Sequence, residues 1–418
     1  MQIRKLKLLP DYYWGTSRDD AIASIIAGPP DRPVLGQFSI VHEDQDHVYL
    51  IRDRLGLNKL FYHIDADTRV ATIGHYLYDI VGETGEYNSV KSVPAGHYLT
   101  IDKNSMNVAL TCYWDLSRIE EDPEFEVERF QTTADRILTD FFENLQERSG
   151  VRQFFVCLSG GLDSSLIASY AKRYLQDVTA VTFSYEALSD DFLAGEAFAK
   201  QLGLAFQPIV IKRQMHDETL RQVISMGQDW RDFNVHCAWV NYQIARHLRD
   251  AGHDGEAIVL TGDLMNEYVC DYTPVEYGGV SYYELPRISQ GRLRRFLVYG
   301  LDSGDRELGI FFSQGFTVVQ PYSLLAEHYL SVPADMLTDS HCKDKLNLAL
   351  MGNANAEFYE PKNKTRAQVG SSDGGTLGLF HDSGISQQGL EDIWKDIFLP
   401  LTKDEALDPV IRSGRYTS

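Results

Sequence analysis

The residues best suited to chemistry lie in the segment Ser159–Ser165, which reads SGGLDSS and follows the apolar run FFVCL. Two adjacent glycines allow a tight turn in which backbone amides approach a bound group closely. Since the segment also opens a predicted helix, its amides and the helix dipole favour an anion such as phosphate. Ser159, Ser164 and Ser165 add hydroxyl donors, and Asp163 beside phosphates implies a bridging cation, which we expect to be Mg²⁺. The segment predicts a phosphate-binding loop, although a plain strand-to-helix turn has a similar composition.

A second polar cluster, Thr261–Glu267, reads TGDLMNE and follows the apolar run AIVL. It contains the acids Asp263 and Glu267, and acids near a phosphate site are costly unless a nearby charge balances them. We therefore expect Asp263 to share the metal ion with Asp163. The competing interpretation is an ordinary strand end followed by a capped helix.

The order of predicted elements explains how these two loops meet. Apolar residues at helical spacing from Phe130 to Leu145 predict an amphipathic helix. Strand-like and helical segments then alternate, which predicts an α/β domain with a parallel, doubly wound sheet. Both loops follow strands, and ligands of such sheets bind at the carboxyl ends of the strands. The earlier part of the chain has short β-type runs between turn residues, so we predict two domains, residues 1–118 and 119–418.

Composition excludes several classes of function. The chain has 60 acidic and 39 basic residues, a formal charge of −21, which repels the phosphate backbone of nucleic acids. No apolar run is long enough to cross a membrane, and the amino terminus lacks the apolar stretch of a signal peptide. The five cysteines are scattered and form no CxxC pair, so we expect a reducing, cytoplasmic location without a zinc cluster or disulfide framework.

Several motifs together resemble a known superfamily. Ser159–Ser165 is similar to the pyrophosphate-binding SGGxDS loop of the ATP-pyrophosphatase group. The segment Arg52–Tyr62, together with Val93–His97 and a later Tyr113-Trp114 pair, looks like the amino-terminal domain of asparagine synthetases. The chain thus resembles the asparagine synthetase and β-lactam synthetase superfamily over nearly its full length. The resemblance implies an adenine nucleotide α-hydrolase-like domain after an Ntn-hydrolase-like α+β domain, and an ATP-dependent ligase that forms AMP and pyrophosphate.

The amino-terminal domain departs from this superfamily at one decisive position. Glutamine-using members carry a cysteine directly after Met1, whose thiol attacks glutamine. Here Gln2 holds that position, and no cysteine precedes Cys112. We therefore expect a degenerate glutaminase-like domain, with free ammonia or a substrate amine as the nucleophile.

The resemblance also implies roles for individual residues. We assign ATP and pyrophosphate binding to residues of three strand ends: Leu158, Ser159, Gly160, Gly161, Leu162, Asp163, Ser164, Phe183 and Gly262. Asp163 and Asp263 are the expected metal ligands. The inner aspartate of the family's SGDGxDE motif, which helps to hold the magnesium, is replaced here by Asn266, and Asp263 or Glu267 would take its place. The expected catalytic residues are Lys364, Lys345 and Glu267, with Lys362 and Lys343 as less favoured lysines. The glycine-rich segment 370–375 resembles a loop that closes over the site in carbapenam synthetases.

The general base is not identified by the resemblance. Cyclases of the superfamily use a tyrosine–glutamate pair, but Asp263 and Thr317 occupy the two corresponding positions. Tyrosines and glutamates nearby in the sequence are candidates for a substitute pair: Tyr272, Tyr277, Tyr282, Tyr283, Glu276, Glu284 and Glu307.

The function predicted from the sequence is an amide-forming ligase that uses ATP and Mg²⁺, with a small-molecule carboxylate and an amine as substrates. One alternative is an intramolecular cyclase of the β-lactam synthetase or peptide-macrocyclase type. Another is a non-catalytic nucleotide-binding protein, to which the altered TGDLMNE motif would also conform. The sequence leaves the oligomeric state open, including a homodimer.

Overall fold

A computed structural model of the chain describes residues 1–148, 150, 153–253, 257–272, 274–300, 303–361 and 374–408. None of the helices within these ranges has the length and hydropathy needed to cross a bilayer.

Two four-stranded sheets dominate residues 1–112, all of which the structure describes. Their strands, with one short pair, are β1 Gln2–Lys5, β2 Tyr12–Tyr13, β3 Gly36–Gln37, β4 Ser39–Glu43, β5 His47–Arg52, β6 Phe61–Asp65, β7 Val70–Gly74, β8 Lys91–Ser92, β9 His97–Asp102 and β10 Val108–Cys112. The two sheets have the strand orders β1-β7-β6-β8 and β10-β9-β5-β4. One apolar core contains residues of both, such as Leu50 and Ile73, so the sheets pack face to face. Helices α1, Arg18–Ile26, and α2, Leu77–Thr84, complete an α+β part, as predicted.

The predicted amphipathic helix is α3, Val127–Arg148, which leads into the second part of the chain. Its residues Phe130, Ala134, Leu138 and Phe141 are buried, as their spacing predicted.

Strands and helices then alternate. They are β11 Phe154–Cys157, α4 Leu162–Tyr174, β12 Val178–Tyr185, α5 Asp190–Leu202, β13 Ala205–Ile211, α6 Asp217–Gly227, α7 Asp232–Asp250, β14 Ile258–Leu260, α8 Met265–Val269, β15 Val275–Tyr277, β16 Val280–Tyr282, α9 Gln290–Arg295, α10 Ser303–Ser313, β17 Thr317–Val319, α11 Ala326–Leu330, α12 Cys342–Asn353, α13 Gly375–Asp382 and α14 Gln387–Phe398. A π-helical turn, Phe296–Gly300, and several 3₁₀ turns lie between them.

The central sheet has five strands in the order β13-β12-β11-β14-β17, and every neighbouring pair is parallel. Successive residues of β11, from Phe154 to Val156, are fully buried although they point to opposite faces, so both faces of the sheet are covered. The predicted parallel α/β fold class is confirmed. The carboxyl ends of β11, β12 and β14 lie side by side and position the candidate site.

Extensive contacts join the first part of the chain to the second. The Gln37 side chain bonds to the backbone of β17, and the Arg54 guanidinium bonds to the Glu327 carboxylate. The segment after α14 returns to the first part, where Thr402 and Asp404 accept hydrogen bonds from the Tyr87 backbone N–H. The division into residues 1–118 and 119–418 stays a prediction.

Candidate active site

The predicted phosphate loop joins β11 to α4 and lines a cavity of ≈ 590 Å³. Within the loop, the Ser164 hydroxyl accepts a hydrogen bond from the Ser159 N–H at 3.1 Å and donates one to the Gly161 carbonyl at 3.2 Å. Gly161, the residue before α4, has no side chain with which to cap the amides of the first helical turn. The turn therefore presents backbone amides to an anion in the cavity.

Two glycines are required by the backbone around this loop. Gly160 has φ +67°, and a Cβ atom there would lie 2.6 Å from the carbonyl carbon of Ala194 on α5. A Cβ on Gly262 would lie 3.0 Å from the backbone nitrogen of Ser164. Both glycines thus allow neighbouring backbones to pack closely, and Gly262 brings the loop after β14 against the phosphate loop.

Lys343 of α12 contacts the phosphate loop within the cavity. Its ammonium lies 3.1 Å from Asp163 Oδ2, 2.7 Å from Asp271 Oδ2 and 3.4 Å from Asn266 Oδ1. Burial alone would lower the pKa of Lys343, but the two carboxylates outweigh it and raise the pKa above its usual value. The lysine is therefore charged at neutral pH and available to an incoming phosphate group.

The predicted metal ligands, Asp163 and Asp263, line the same cavity. Asp163 Oδ1 is buried and has no hydrogen-bond partner among the described residues. Such an orphaned carboxylate oxygen suits Mg²⁺, which uses one or two carboxylates together with substrate phosphates. Asp263 lies 3.3 Å from the Arg306 guanidinium. The described residues contain no preformed group of three His, Cys, Asp or Glu side chains around one point, so a metal here would depend on the phosphates of its ligand.

Glu267 lies behind the cavity wall rather than in the cavity. It is 1% exposed, and its Oε1 accepts a 2.8 Å hydrogen bond from the hydroxyl of Tyr272, which does line the cavity. Burial, and then repulsion from Asp263, raises the pKa of Glu267. Burial and the Glu267 carboxylate likewise raise the pKa of Tyr272. A buried carboxylate of raised pKa bonded to a cavity tyrosine has the form of a proton-accepting pair.

Glu307 of α10 supplies a second buried carboxylate, and this one lines the cavity. Its Oε2 accepts hydrogen bonds from the Thr261 hydroxyl at 2.6 Å and from the Gln320 side-chain amide at 3.0 Å. The Asn241 side-chain amide donates to its Oε1 at 3.3 Å. Burial, and then repulsion from Asp263, raises the pKa of Glu307.

The structure brings most of the predicted ATP-site residues together. Those that line the cavity are Leu158, Ser159, Gly161, Leu162, Asp163, Ser164, Phe183, Gly262 and Asp263. Gly160 lies behind the loop against α5. Asn266, which replaces the inner aspartate of the family's motif, lines the cavity. The neighbouring Glu267 is buried in the protein interior.

The structure treats the predicted lysines differently. Lys345 is exposed, and its ammonium pairs with Asp339 on the outer surface, so its position gives no support to the catalytic role that we predicted. Lys343, which the sequence favoured less, is the lysine of α12 that enters the cavity. Pro361 lies at the cavity edge, but Lys362, Lys364 and residues 370–373 of the predicted closing loop lie outside the described residues.

Sequence reasoning missed Arg306 and Asn241, and named Glu307 and Tyr272 only among many candidates. Arg306 and Glu307 are adjacent charged residues directly before the apolar run of α10, and both are buried. Charged residues at core positions of a helix are the signal that would have found them, since buried charges require partners.

The fold and the site together define a class: a parallel α/β domain that presents a glycine-rich loop, a lysine and several carboxylates to one cavity. Residues 149–299 match the family model described as asparagine synthase. For this part of the chain, the match confirms the resemblance inferred from the motifs.

Comparisons with other proteins are less informative. The fold is similar to an NH3-dependent NAD synthetase from Campylobacter jejuni, with 16% identity, 44% of this chain and 78% of that chain covered, and a TM-score of 0.26. It is also similar to an NMN synthetase from Francisella tularensis, with 15% identity, 58% and 99% covered, and a TM-score of 0.26. These similarities are too weak to bear on activity. No protein of curated function matches the sequence.

Proposed function

We propose that the protein is an ATP-dependent amide ligase that adenylates a substrate carboxylate, releases pyrophosphate and transfers the acyl group to an amine. One observation carries this proposal: the phosphate loop, Lys343 and Asp163 share a single cavity with Glu307 and Tyr272. The volume of ≈ 590 Å³ lies in the range of small-molecule sites. A site that held only a nucleotide would have no use for buried carboxylates of raised pKa beside the phosphate loop.

The phosphate end of the cavity suits the tail of ATP. The amides at the start of α4 would bind the β- and γ-phosphates, and Lys343 would balance the charge that develops on the departing pyrophosphate. Mg²⁺, held by Asp163 and Asp263 when bound, would neutralise phosphate charge. A carboxylate oxygen attacks the α-phosphorus, the bond to the β-phosphate oxygen breaks, and an acyl-adenylate and pyrophosphate form.

Tyr272 and Glu267 suit the transfer step. The amine forms a bond to the acyl carbon, the bond from that carbon to the phosphate oxygen breaks, and AMP leaves. We propose that Tyr272 accepts the proton of the amine while its own hydroxyl proton passes to Glu267, to which it is already hydrogen-bonded. The raised pKa of Glu267 makes this carboxylate a stronger base than an ordinary glutamate.

Two further parts of the proposal concern residues away from this pair. Lys364, three positions after Pro361 at the cavity edge, is proposed to stabilise the transition-state charge during transfer. The amine is proposed to come without glutamine hydrolysis. The one cysteine in residues 1–118 is Cys112, a surface residue. Partial desolvation of its thiol, and then the charge of Asp115, raise the pKa of that thiol, the reverse of an activated nucleophile.

A second candidate function, intramolecular cyclisation, is favoured by one observation. Cyclases of the superfamily that the sequence resembles use a tyrosine–glutamate pair, and Tyr272 and Glu267 form such a pair at other positions of the chain. In this case the carboxylate and the amine belong to one substrate.

The test is a screen of carboxylates and amines with ATP and Mg²⁺, scored by pyrophosphate release and by the ratio of AMP to ADP. The proposal requires AMP and pyrophosphate, and Asp163→Asn serves as the inactive control. A product one water lighter than a single substrate would establish cyclisation, and a conjugate of two substrates would establish intermolecular transfer. ADP as the nucleotide product, or ATP binding without any pyrophosphate release across the screen, would overturn the proposal.

A further inference from the structure

A chain of buried hydrogen bonds connects the first part of the molecule to the cavity. It begins at Gln37 on β3, whose side-chain carbonyl accepts a 3.0 Å hydrogen bond from the Gln320 backbone N–H. The Gln37 side-chain amide donates to the Val318 carbonyl at 3.2 Å. Both the oxygen and the nitrogen of the Gln37 side-chain amide therefore bond to the backbone at the end of β17.

Gln320 carries the connection onward. Its side-chain amide donates to Glu307 Oε2 at 3.0 Å, and Glu307 lines the cavity. Gln37 and Gln320 are 1% and 0% exposed, respectively. The Thr261 hydroxyl and the Asn241 amide complete the donors around this carboxylate. The three donors come from different parts of the fold. Because Gln320 directly follows β17, the hydrogen bond that it donates to Glu307 depends on the position of that strand.

Packing alone does not account for these two glutamines. A buried amide loses its hydrogen bonds to water and gains only about 1 kcal/mol from each hydrogen bond within the protein. Apolar side chains of the same volume would fill the same space without losing hydrogen bonds to water. Replacing buried polar groups in this way is often neutral or stabilising. A fully buried polar network, by contrast, holds its members in one arrangement. The network here ends on a carboxylate that faces the ligand cavity.

We infer that Gln37 is a positioning residue: through Gln320 it fixes Glu307, a carboxylate of the cavity wall, for the transfer step. The inference rests on the proposed function, in which that step brings an amine into the cavity. The other charged groups that face Glu307 are Asp263 and Arg306, and the Cys157 thiol lies nearby.

The first test needs no substrate and uses Gln37→Met, which removes both hydrogen bonds at nearly constant volume. Glu307 is followed by difference infrared titration of its carboxyl C=O band, assigned by its loss in Glu307→Gln. A looser Gln320 donates more weakly to the carboxylate, so Glu307 is expected to titrate about one pH unit higher in Gln37→Met. An unchanged titration in the folded variant would overturn the inference.

A matched control is Lys59→Met. Lys59 is equally buried and bonds to the Gly227 carbonyl of the second part, but that contact does not lead to the cavity. It is expected to leave the Glu307 titration within about 0.2 pH unit of wild type. A shift as large as that of Gln37→Met would show a general effect of the contact between the two parts, and the inference would fail.

The second test uses the carboxylate found in the screen, with ammonium chloride as the amine. Gln37→Met is expected to lower kcat for amide formation about 10-fold while pyrophosphate release without amine stays within about 2-fold. In a Glu307→Gln background the same substitution should have no further effect. Equal losses in both backgrounds, or loss of both half-reactions, would contradict positioning through Glu307. Absence of pyrophosphate release from wild type would refute the proposed function alone, since the infrared result stands by itself.

Discussion

Lys343→Met tests whether the cavity binds the tail of ATP. The Lys343 ammonium lies 3.1 Å from Asp163 and 2.7 Å from Asp271. Opposite charges 3 Å apart attract by roughly 5 kcal/mol at an effective dielectric constant of 20, before desolvation. Desolvation and partial exposure reduce the net worth of each charged hydrogen bond to about 1.5–3 kcal/mol. If one such bond is formed with the departing pyrophosphate, its loss should slow turnover roughly 100-fold.

The assay is pyrophosphate release at saturating ATP, with Lys345→Met as the matched control. Lys345 lies two positions along the same helix, but its ammonium pairs with Asp339 on the outer surface. Both substitutions replace a lysine of α12 by methionine, so they differ only in the side of the helix on which the lysine lies. Lys345→Met is expected to stay within about 2-fold of wild type. Equal rates for the two variants would refute the assignment of the phosphate end to Lys343.

The same substitution also has a predicted effect on stability. Without the ammonium, Asp163 and Asp271 are left as facing carboxylates, so the free energy of unfolding should fall by about 1–3 kcal/mol at pH 7. The folded-state pKa of Lys343 is raised, so its stabilisation is complete below the ordinary lysine pKa and is lost as the pH rises through the higher folded value. The difference between wild type and variant should therefore persist from neutral to mildly alkaline pH in chemical denaturation.

Further predictions concern single positions. Asp163→Asn should abolish pyrophosphate release, while the circular dichroism spectrum stays that of wild type. Tyr272→Phe should slow amide formation about 100-fold and leave pyrophosphate release nearly unchanged in single-turnover kinetics. Glu267→Gln should stabilise the fold by about 1 kcal/mol at pH 8 and by less at pH 5, because a carboxyl of raised pKa destabilises the folded state only where it is ionised. Gly160→Ala should lower the free energy of unfolding by about 2–4 kcal/mol, because its Cβ would clash with the Ala194 backbone.

Four strands of the central sheet, β11 to β14, could be predicted because each lies in a mostly apolar or β-branched run between turn residues. The run VTAVTFSY coincides with β12, Val178–Tyr185, and FFVC with β11, Phe154–Cys157. The phosphate loop could be predicted as well, since all of its chemistry lies within seven consecutive residues. Local sequence determines such features, and a structure adds their exact surroundings.

The cavity's other side chains depend on tertiary arrangement, which a local pattern does not reveal. Lys343 and Lys345 are two positions apart, so they point to nearly opposite sides of α12. Lys343 shares a face with the buried Asn347 and Leu350, at spacings of four and seven residues. Polar and apolar residues are mixed along α12, so its sequence does not show which face of the helix is buried. Glu307 meets Thr261, 46 positions earlier in the chain, only because α10 packs against β17, the neighbour of β14 in the sheet.

The return of the chain after α14 has a consequence for how the molecule unfolds. Trp394 Nε1 donates to the Tyr87 hydroxyl, and the Tyr87 backbone N–H donates to Thr402 and Asp404. These hydrogen bonds join residues that lie more than 300 positions apart in the chain. Unfolding of the two sheets in the first part would break these hydrogen bonds and remove contacts that stabilise α14. The protein should consequently denature in one cooperative transition, although its sequence reads as two modules.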